Sequence, residues 1–282
     1  MEALAVRTLG DAPPRIVLLH GMFNSGRYWG RPYDGLSTLG GLVVPDLLGF
    51  GRSPQPQSGY TSDGHADAVA DTVRACGATE PVVVGAHSVG SLVAIALAAR
   101  HPDLVSSVVA FAPPLYPDGA AARRQLAEID PLARLSLANE ALSRRLCDLR
   151  SRHVKISACL VRLANPTMPA PLAQDRVRHS WQSYSETLSN LVVSAEMSDE
   201  LTKLAIPVRL VVGQRDKAVD LPFLAELATG CSHLSLGIVG DGGHDLPLSH
   251  PEVCIAELEA AVRGRPPDTG KADATGCDGP PR

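Results

Sequence analysis

Six short apolar runs recur along the chain, and helix-like sequence follows most of them. The runs are four to six residues long: Arg15–His20, Leu42–Asp46, Pro81–Ala86, Val105–Ala110, Val208–Gly213 and Leu236–Val239. Runs of this length that are nearly continuously apolar are typical of strands in a parallel sheet covered on both faces. The alternation of such strands with helical patterns predicts an α/β fold, with a mostly parallel central sheet flanked by helices.

The stretch 115–201 interrupts this alternation between the fourth and fifth runs. It is rich in Leu, Ala and Arg and has no convincing buried strand, so we expect a helical insertion there. The core would then comprise residues 1–114 and 202–263. The stretch 264–282 has four Gly, four Pro and no large apolar residue. It cannot bury enough surface to offset its ordering entropy, and we expect a disordered tail.

Composition excludes several classes of protein. A net charge of −4 and an aromatic content of 4% argue against a general nucleic-acid binder. The six cysteines form no C-x-x-C pair and lie at no zinc-ligand spacing, so we expect reduced thiols and no metal. The beginning of the chain lacks the apolar region of a signal peptide, and no run approaches a transmembrane length. We therefore expect a cytoplasmic protein, and the excess of Arg over Lys favours a bacterial source.

The segment from Gly85 to Gly90, which reads GAHSVG, carries the strongest chemical signal. It lies between an apolar strand and a small-residue helix. A nucleophile on such a tight turn needs small residues two positions to either side, because the strained backbone leaves no room for larger ones. Ala86 and Gly90 meet this need around Ser88, which would also lie at the positive end of the following helix.

A serine hydroxyl needs a base to activate it, and the base needs a group that orients it. His244 follows the sixth run in a Gly-Gly-His loop and is the candidate base. Asp216, in the loop after the fifth run, is the candidate orienting acid, and Asp220 is the alternative. The chain order Ser, Asp, His is the one found in α/β-hydrolases.

Four motifs in order make the chain resemble the α/β-hydrolase superfamily from Arg15 to Val262. Beside the serine turn, they are a His-Gly turn at His20, a D-x-x-G-x-G-x-S loop from Asp46 to Ser53, and a Gly-His…Pro ending around His244. The resemblance implies a serine hydrolase without a cofactor. It also implies that the insertion forms a helical cap over the site. The aspartate or cysteine nucleophiles of other members are absent from this turn.

The resemblance further implies an oxyanion hole made by the backbone N–H groups of Val89 and Met22, with Phe23 as another possible donor. Large apolar side chains near the site are candidates to line a substrate pocket: Phe23, Phe111, Met168, Trp181 and Tyr184. These residues could instead pack the insertion onto the core. As pocket residues, they would imply a small, largely apolar organic substrate.

Three functions stay open. The first is cleavage of an ester or related acyl bond through an acyl-enzyme. The second is hydrolysis of a carbon–carbon bond of the ring-fission type, although Asp245 stands where such relatives commonly have Trp. The third is a biosynthetic, accessory or ligand-binding role without turnover, because a fold alone does not fix function.

Charge is unevenly distributed along the chain. From Leu115 to Asn165 there are nine basic and five acidic residues, so this stretch carries +4 and the remainder −8. A solvated helical face explains such a stretch. A surface for an anionic substrate or an acidic carrier protein is the alternative interpretation, which binding that weakens with rising salt would support. The oligomeric state stays open.

Overall fold

The computed structural model describes residues 3–129, 134–135, 139–164 and 168–264. Its centre is a seven-stranded sheet in the order β1-β3-β2-β4-β5-β6-β7. The strands are β1 (Val6–Leu9), β2 (Pro14–Leu19), β3 (Gly41–Pro45), β4 (Val82–His87), β5 (Val105–Phe111), β6 (Val208–Gly213) and β7 (Leu234–Val239). Strand β1 runs antiparallel to β3, and all other neighbours are parallel. The predicted α/β fold with a mostly parallel central sheet is thereby confirmed.

Among the strands of the described residues, β1 is the one that the apolar pattern did not predict. It lies at the sheet edge, where Val6 pairs with Pro45 and Leu9 with Leu42. Its side chains alternate between exposed and half-buried positions, so no continuous apolar run marks it. A half-solvated antiparallel edge strand gives a weaker signal than a parallel strand buried on both faces.

Outside the sheet, the described residues form helices, two 3₁₀ segments and a π segment, joined by loops. The helices are α1 (Ser62–Ala75), α2 (Val89–Arg100), α3 (Gly119–Ile129), α4 (Glu140–Arg152), α5 (Val154–Ala164), α6 (Ala170–Asp175), α7 (Trp181–Thr187), α8 (Glu196–Lys203), α9 (Leu221–Gly230), α10 (Leu246–Ser249) and α11 (Pro251–Val262). Two 3₁₀ segments, Gly26–Trp29 and Arg31–Leu39, follow β2, and a π segment spans Leu188–Val193. None of the helices in the described ranges is long and apolar enough to cross a bilayer.

Each face of the sheet carries its own apolar core. Side chains of one parity, such as Val17 and Val84, pack in the core that includes α1 and α2. Side chains of the other parity, such as Leu18 and Phe111, pack with the 3₁₀ segments and α11. Successive strand residues point to opposite faces, so both faces must be covered. The apolar content of the strands follows from this burial.

The described parts of residues 115–201 contain helices and the π segment but no strand. We call this stretch, between β5 and β6, the insertion. Its division from the core, and its role as a cap, remain predictions. The predicted tail lies outside the described residues from position 265 onward.

Candidate active site

Ser88 lies on a sharp turn between β4 and α2. Its backbone has φ 53° and ψ −126°, a conformation that L-residues rarely adopt. The turn is fixed by a hydrogen bond of 2.9 Å from the Ser88 N–H to the carbonyl of Phe111. A Cβ at Gly90 would lie 2.5 Å from the carbonyl oxygen of His20, so only glycine fits there. The strained turn raises the hydroxyl at the carboxyl edge of the sheet.

Ser88, His244 and Asp216 form a continuous hydrogen-bonded chain. Nε2 of His244 lies 3.0 Å from Oγ of Ser88, and its Nδ1 lies 2.9 Å from Oδ2 of Asp216. The Asp216 side chain is fully buried, and its other oxygen accepts from the Ala218 N–H at 2.7 Å. The carboxylate of Asp216 accepts the hydrogen bond of the Nδ1–H group of His244. The unprotonated Nε2 of His244 can therefore accept the proton of Ser88.

Asp220, the alternative orienting acid, is engaged elsewhere. Its carboxylate accepts from the Phe223 N–H at 3.1 Å and caps the amino terminus of α9. Aspartate is a preferred residue at this position, because it satisfies a backbone donor that the helix leaves free. Asp216 is therefore the acid that the structure brings to His244.

The His-Gly turn after β2 packs directly against Ser88. A Cβ at Gly21 would lie 3.0 Å from Cβ of Ser88, a tight contact that a larger residue could make only if its neighbours shifted. His20 is buried, accepts from the Leu47 N–H at 2.9 Å and donates to the carbonyl of Gly21 at 2.8 Å. Burial lowers the pKa of His20, which favours this neutral form. His20 thus ties the turn that bears Met22 to the loop after β3.

Val89 and Met22, the predicted oxyanion donors, border Ser88 from two sides. Val89 is the first residue of α2, where backbone N–H groups have no partner within the helix. Met22 follows Gly21 in the turn that packs on the serine. Phe23, directly after Met22, has a φ of 63° and bends the chain there.

The loop that contains Asp46 contacts the first 3₁₀ segment, which follows the turn that bears Met22. The buried Asp46 carboxylate accepts from the Gly26 N–H at 2.7 Å and the Arg52 N–H at 2.8 Å. A Cβ at Gly51 would lie 2.5 Å from Oδ2 of Asp46, so the second glycine of the motif makes room for the carboxylate. The D-x-x-G-x-G-x-S loop therefore links β3 to the first 3₁₀ segment and has a structural function here.

His87 contacts the backbone of His244, which the sequence did not indicate. Its Nε2–H donates to the carbonyl oxygen of His244 at 2.9 Å, and its ring stacks on Tyr28 with centroids 4.7 Å apart. Burial, followed by the nearby His244, lowers the pKa of His87 to about 3. His87 is thus neutral near pH 7 and holds the His244 loop against the serine turn.

An aromatic cluster joins the insertion to the His-Gly turn. Phe23 stacks on Tyr184 with centroids 5.2 Å apart, and Trp181 meets Tyr184 edge-on at 5.7 Å. His179, which the sequence did not single out, lies 4.8 Å from Phe23. Three of the five predicted pocket residues are therefore brought together.

The other two predicted pocket residues lie apart from this cluster. Phe111 is fully buried in the core that contains α11, with its ring 6.1 Å from that of Trp29. Its position at the end of β5 directs it to that face of the sheet, where it has a packing function. Met168 is half-buried and packs near Leu172 and Val177 of the insertion.

The chain also matches a known protein family over most of its length. A model of the alpha/beta hydrolase fold matches residues 14–251. The chain belongs to the alpha/beta hydrolase fold family. The match includes Ser88, Asp216 and His244 and runs from β2 to the first residue of α11.

Two curated relatives and one solved structure illustrate the range of this family. Probable lysophospholipase BODYGUARD 4 of Arabidopsis thaliana is 27% identical, over 83% of this chain and 60% of that protein, so the chain spans about three fifths of it. Pimeloyl-[acyl-carrier protein] methyl ester esterase of Aromatoleum aromaticum is 30% identical, over 89% of this chain and 99% of that protein. A thermophilic esterase from Thermogutta terrifontis, solved with malate bound, has a TM-score of 0.70 at 22% identity and covers 93% of both chains. At that identity the likeness concerns the fold.

Asp245 gives the family site a polar neighbour in this chain. It accepts from the Tyr28 hydroxyl at 3.0 Å and lies 3.8 Å from the Arg176 guanidinium. Burial opposes its ionisation, but the Arg176 guanidinium and the Tyr28 hydroxyl favour the carboxylate, and the pKa of Asp245 lies below its usual value. Arg176 also donates to the side chain of Asn24 at 3.3 Å. This network links the His244 loop, the insertion and the turn that bears Met22.

The site lies where open parallel sheets of this family bind ligands, beyond the carboxyl ends of the strands. A cavity of about 1010 Å³ lies at the opposite edge of the sheet, between residues such as Pro14, Val83 and Val208. It is remote from Ser88 and belongs to the amino-terminal ends of the strands. Within the described ranges, no group of three or more His, Cys, Asp or Glu residues is placed to hold a metal ion.

Proposed function

We propose that this protein is a serine hydrolase that cleaves an ester or related acyl bond of a small, largely apolar organic molecule. The observation that carries the proposal is the unbroken chain of hydrogen bonds from Ser88 through His244 to Asp216. Relatives named as esterase and lysophospholipase support a hydrolase. The proposed reaction proceeds through an acyl-enzyme on Ser88.

In the first step, Oγ of Ser88 attacks the substrate carbonyl while Nε2 of His244 takes its proton. The tetrahedral oxyanion accepts hydrogen bonds from the backbone N–H groups of Val89 and Met22. One such donor typically stabilises the transition state by about 3 kcal/mol. Collapse of the intermediate breaks the bond to the leaving group, which receives the proton from His244. Because these donors are backbone groups, their side chains are free to differ.

In the second step, His244 takes a proton from water, and the resulting hydroxide attacks the acyl-enzyme. The acid product leaves as Ser88 regains its proton. Asp216 orients the imidazole and stabilises its cationic form in both steps. Its burial suits this role, because water does not compete for its carboxylate.

The partly buried Phe23, which follows Met22, supports an apolar acyl or ring-bearing substrate, whereas Trp181 and Tyr184 are buried and pack the insertion onto the core. These side chains lie between the insertion and the turn that bears Met22. Cleavage of an ester is favoured over cleavage of a carbon–carbon bond because Asp245, bound to Tyr28 and Arg176, stands where ring-fission relatives commonly have Trp. The insertion would act as the cap of this site.

A panel of p-nitrophenyl esters of increasing acyl length tests the proposal. We expect turnover of at least one ester by the native protein and none above background by Ser88→Ala. Ser91→Ala is the matched control, because Ser91 is buried one helical turn away and donates only to the carbonyl of Ala86. Turnover of a coloured ring-fission compound without ester hydrolysis would favour the carbon–carbon reaction. A ligand that stabilises the protein but is recovered unchanged, with no ester turned over, would overturn the proposal.

A further inference from the structure

Six large apolar side chains are exposed on two neighbouring helices of the insertion, α4 and α5. We call these two helices the outer helices. Their exposed fractions run from 38% at Leu146 to 73% at Leu163. The six are Leu142, Leu146, Leu149, Ile156, Leu160 and Leu163. Among the described residues only nine large apolar side chains are this exposed, so two thirds of them are concentrated here. Such a concentration differs from the scattered apolar residues that every surface has.

The spacing of these side chains puts them on one stripe of each helix. On α4 they recur at steps of four and three residues, from Leu142 to Leu149. On α5 they recur in the same steps, from Ile156 to Leu163. Residues at these spacings share a helix face. The buried face of α4, with Ser143 and Cys147, is a separate strip, so the exposed stripe is additional to the one that packs inward.

Basic residues flank the stripe. Residues 140–164 contain six basic and two acidic side chains, a net charge of +4 in a chain of net charge −4. Five exposed cations lie on the outer helices: Arg144, Arg145, Arg152, Lys155 and Arg162. A helix that combines Leu and Ile on one face with Lys and Arg on the adjoining face is typical of an interfacial amphipathic helix.

A second copy of this chain fits the stripe poorly. The steps of four and three make Leu146 and Leu149 equivalent to the apolar seam of a coiled coil, with Arg145, Arg150 and Arg152 at its flanks. Pairing two copies along the stripe would place these cations opposite one another. Flanking charges of one sign oppose such pairing. The apolar stripe and its flanking basic residues therefore fit a partner that is both apolar and anionic.

We propose that the outer helices bind an anionic lipid surface. The Leu and Ile side chains would enter the boundary between headgroups and acyl chains, and the basic residues would lie among the anionic headgroups. An acidic protein would satisfy the cations but would not require six exposed aliphatic side chains. The inference goes beyond the proposed hydrolase activity and does not depend on it.

Vesicle flotation tests the inference with the full chain. The probe is a vesicle of equal parts phosphatidylcholine and phosphatidylglycerol, and a vesicle of phosphatidylcholine alone is the comparison. We expect the native protein to float with the anionic vesicles and to float several-fold less with the neutral ones. Ser88→Ala should float equally well, which separates this result from the outcome of the hydrolase proposal.

Two variants and a matched control identify the surface. Ile156→Ser/Leu160→Ser should lower the affinity for anionic vesicles by about tenfold or more, because two large apolar side chains no longer leave water. Arg145→Glu/Arg152→Glu should abolish the preference for anionic lipid. The control Ile238→Ser/Leu248→Ser removes two comparably exposed apolar side chains that lie outside the insertion. It should bind anionic vesicles as the native protein does. Circular dichroism checks that all variants are folded.

Several results would overturn the inference. One is a native protein that stays with the soluble fraction in both vesicle mixtures. Another is undiminished flotation of the Ile156→Ser/Leu160→Ser variant. Light scattering that finds a dimer, which this variant converts to a monomer, would assign the stripe to a second copy instead. Salt-sensitive binding to an acidic carrier protein, without binding to anionic vesicles, would assign it to a protein partner.

Discussion

Two pairs of helices, which we call the two halves of the insertion, use their apolar and polar side chains in opposite ways. Helices α6 and α7, which we call the inner helices, use polar side chains to bind the core. Asp175 at the end of α6 accepts from Oγ of Ser25 at 2.6 Å, and Thr187 at the end of α7 lies 3.1 Å from Nε2 of His65. The outer helices α4 and α5 instead leave apolar side chains in solvent, with Ile156 64% exposed.

This difference separates two functions within one stretch of chain. The inner helices reach the turn that bears Met22 through the stacking of Tyr184 on Phe23. We expect a change in them to affect the proposed oxyanion donor Met22, which precedes Phe23. The outer helices contact this half through Cys147, whose sulfur lies 3.3 Å from Nε2 of His179. We therefore expect substitutions in the core and inner helices to alter catalysis or stability, and substitutions on the outer stripe to alter neither.

The largest expected effect concerns the two aspartates after β6. Asp216→Asn should lower kcat by about 10⁴-fold, because an amide no longer holds the imidazole in the tautomer that accepts the serine proton. Asp220→Asn keeps a helix-capping side chain and should leave kcat within a few-fold of the native value. Steady-state kinetics on the best p-nitrophenyl ester measure both. Equal losses in the two variants would refute the assignment of Asp216.

The next effect concerns His87, which donates to the carbonyl of His244. His87→Ala removes this donor, and we expect kcat to fall by about 10²-fold with KM little changed, because the base is no longer held in position. His87→Gln retains an N–H donor and should recover part of kcat. Unchanged kcat in the alanine variant, or equal losses in both variants, would contradict a positioning role.

Asp175 tests the attachment of the inner helices to the core. Its side chain is 2% exposed, and Asp175→Ala leaves the Ser25 hydroxyl without its acceptor. We expect a loss of about 1–3 kcal/mol in the free energy of unfolding. The matched change in the outer helices, Asp148→Ala, removes a half-buried carboxylate and should cost less than about 0.5 kcal/mol. Denaturant unfolding of the two variants should rank them in this order.

His65, whose Nε2 lies 3.1 Å from Oγ1 of Thr187, makes the attachment of the inner helices to the core depend on pH. Burial lowers its pKa to about 4, below the usual value of 6.5. The unfolded chain therefore binds a proton that the folded protein excludes, so stability is fully present above pH 6.5 and is lost as pH falls toward 4. Each such histidine contributes at most about 1.4 kcal/mol per pH unit. His65→Gln should make the acid branch of a stability–pH curve shallower, and an unchanged slope would contradict this origin.

The smallest expected effect concerns the outer stripe. Ile156→Ser should change the free energy of unfolding by less than about 0.5 kcal/mol, because the native side chain is 64% exposed. Its turnover of a soluble ester should equal that of the native protein. A clear loss of stability, measured by denaturant unfolding, would show that the stripe packs within the chain and would remove the contrast between the two halves.

Much of the core was predictable because its signal is local. All six predicted strands are confirmed to within two residues at each end. Burial on both faces gives most of them a nearly continuous apolar run, whereas the edge strand β7 is only partly buried. The turn around Ser88 was predictable for a similar reason: the small residues that it requires are near neighbours in the sequence. Local patterns also marked His244 and Asp216, and the family order of the three residues joined them into one hypothesis.

Features that depend on distant contacts were not predictable. Asp175 meets Ser25 across 150 positions, and His87 meets His244 across 157, so no local pattern pairs them. Phe111 lies at a strand end, where a shift of one residue changes the face of the sheet that it occupies. The sequence therefore predicted Phe111 as a pocket residue but could not show that its side chain is buried in the core. Strand β1 was missed because half of its surface is solvated.

The central claim is that Ser88 is the nucleophile, and covalent labelling tests it most directly. A fluorophosphonate probe reacts with an activated serine, and mass spectrometry of the digested protein locates the adduct. We predict one adduct per chain, on the peptide that contains Ser88, and no labelling of Ser88→Ala under the same conditions. Labelling of Ser88→Ala to the native extent, or an adduct on a different residue, would contradict the account.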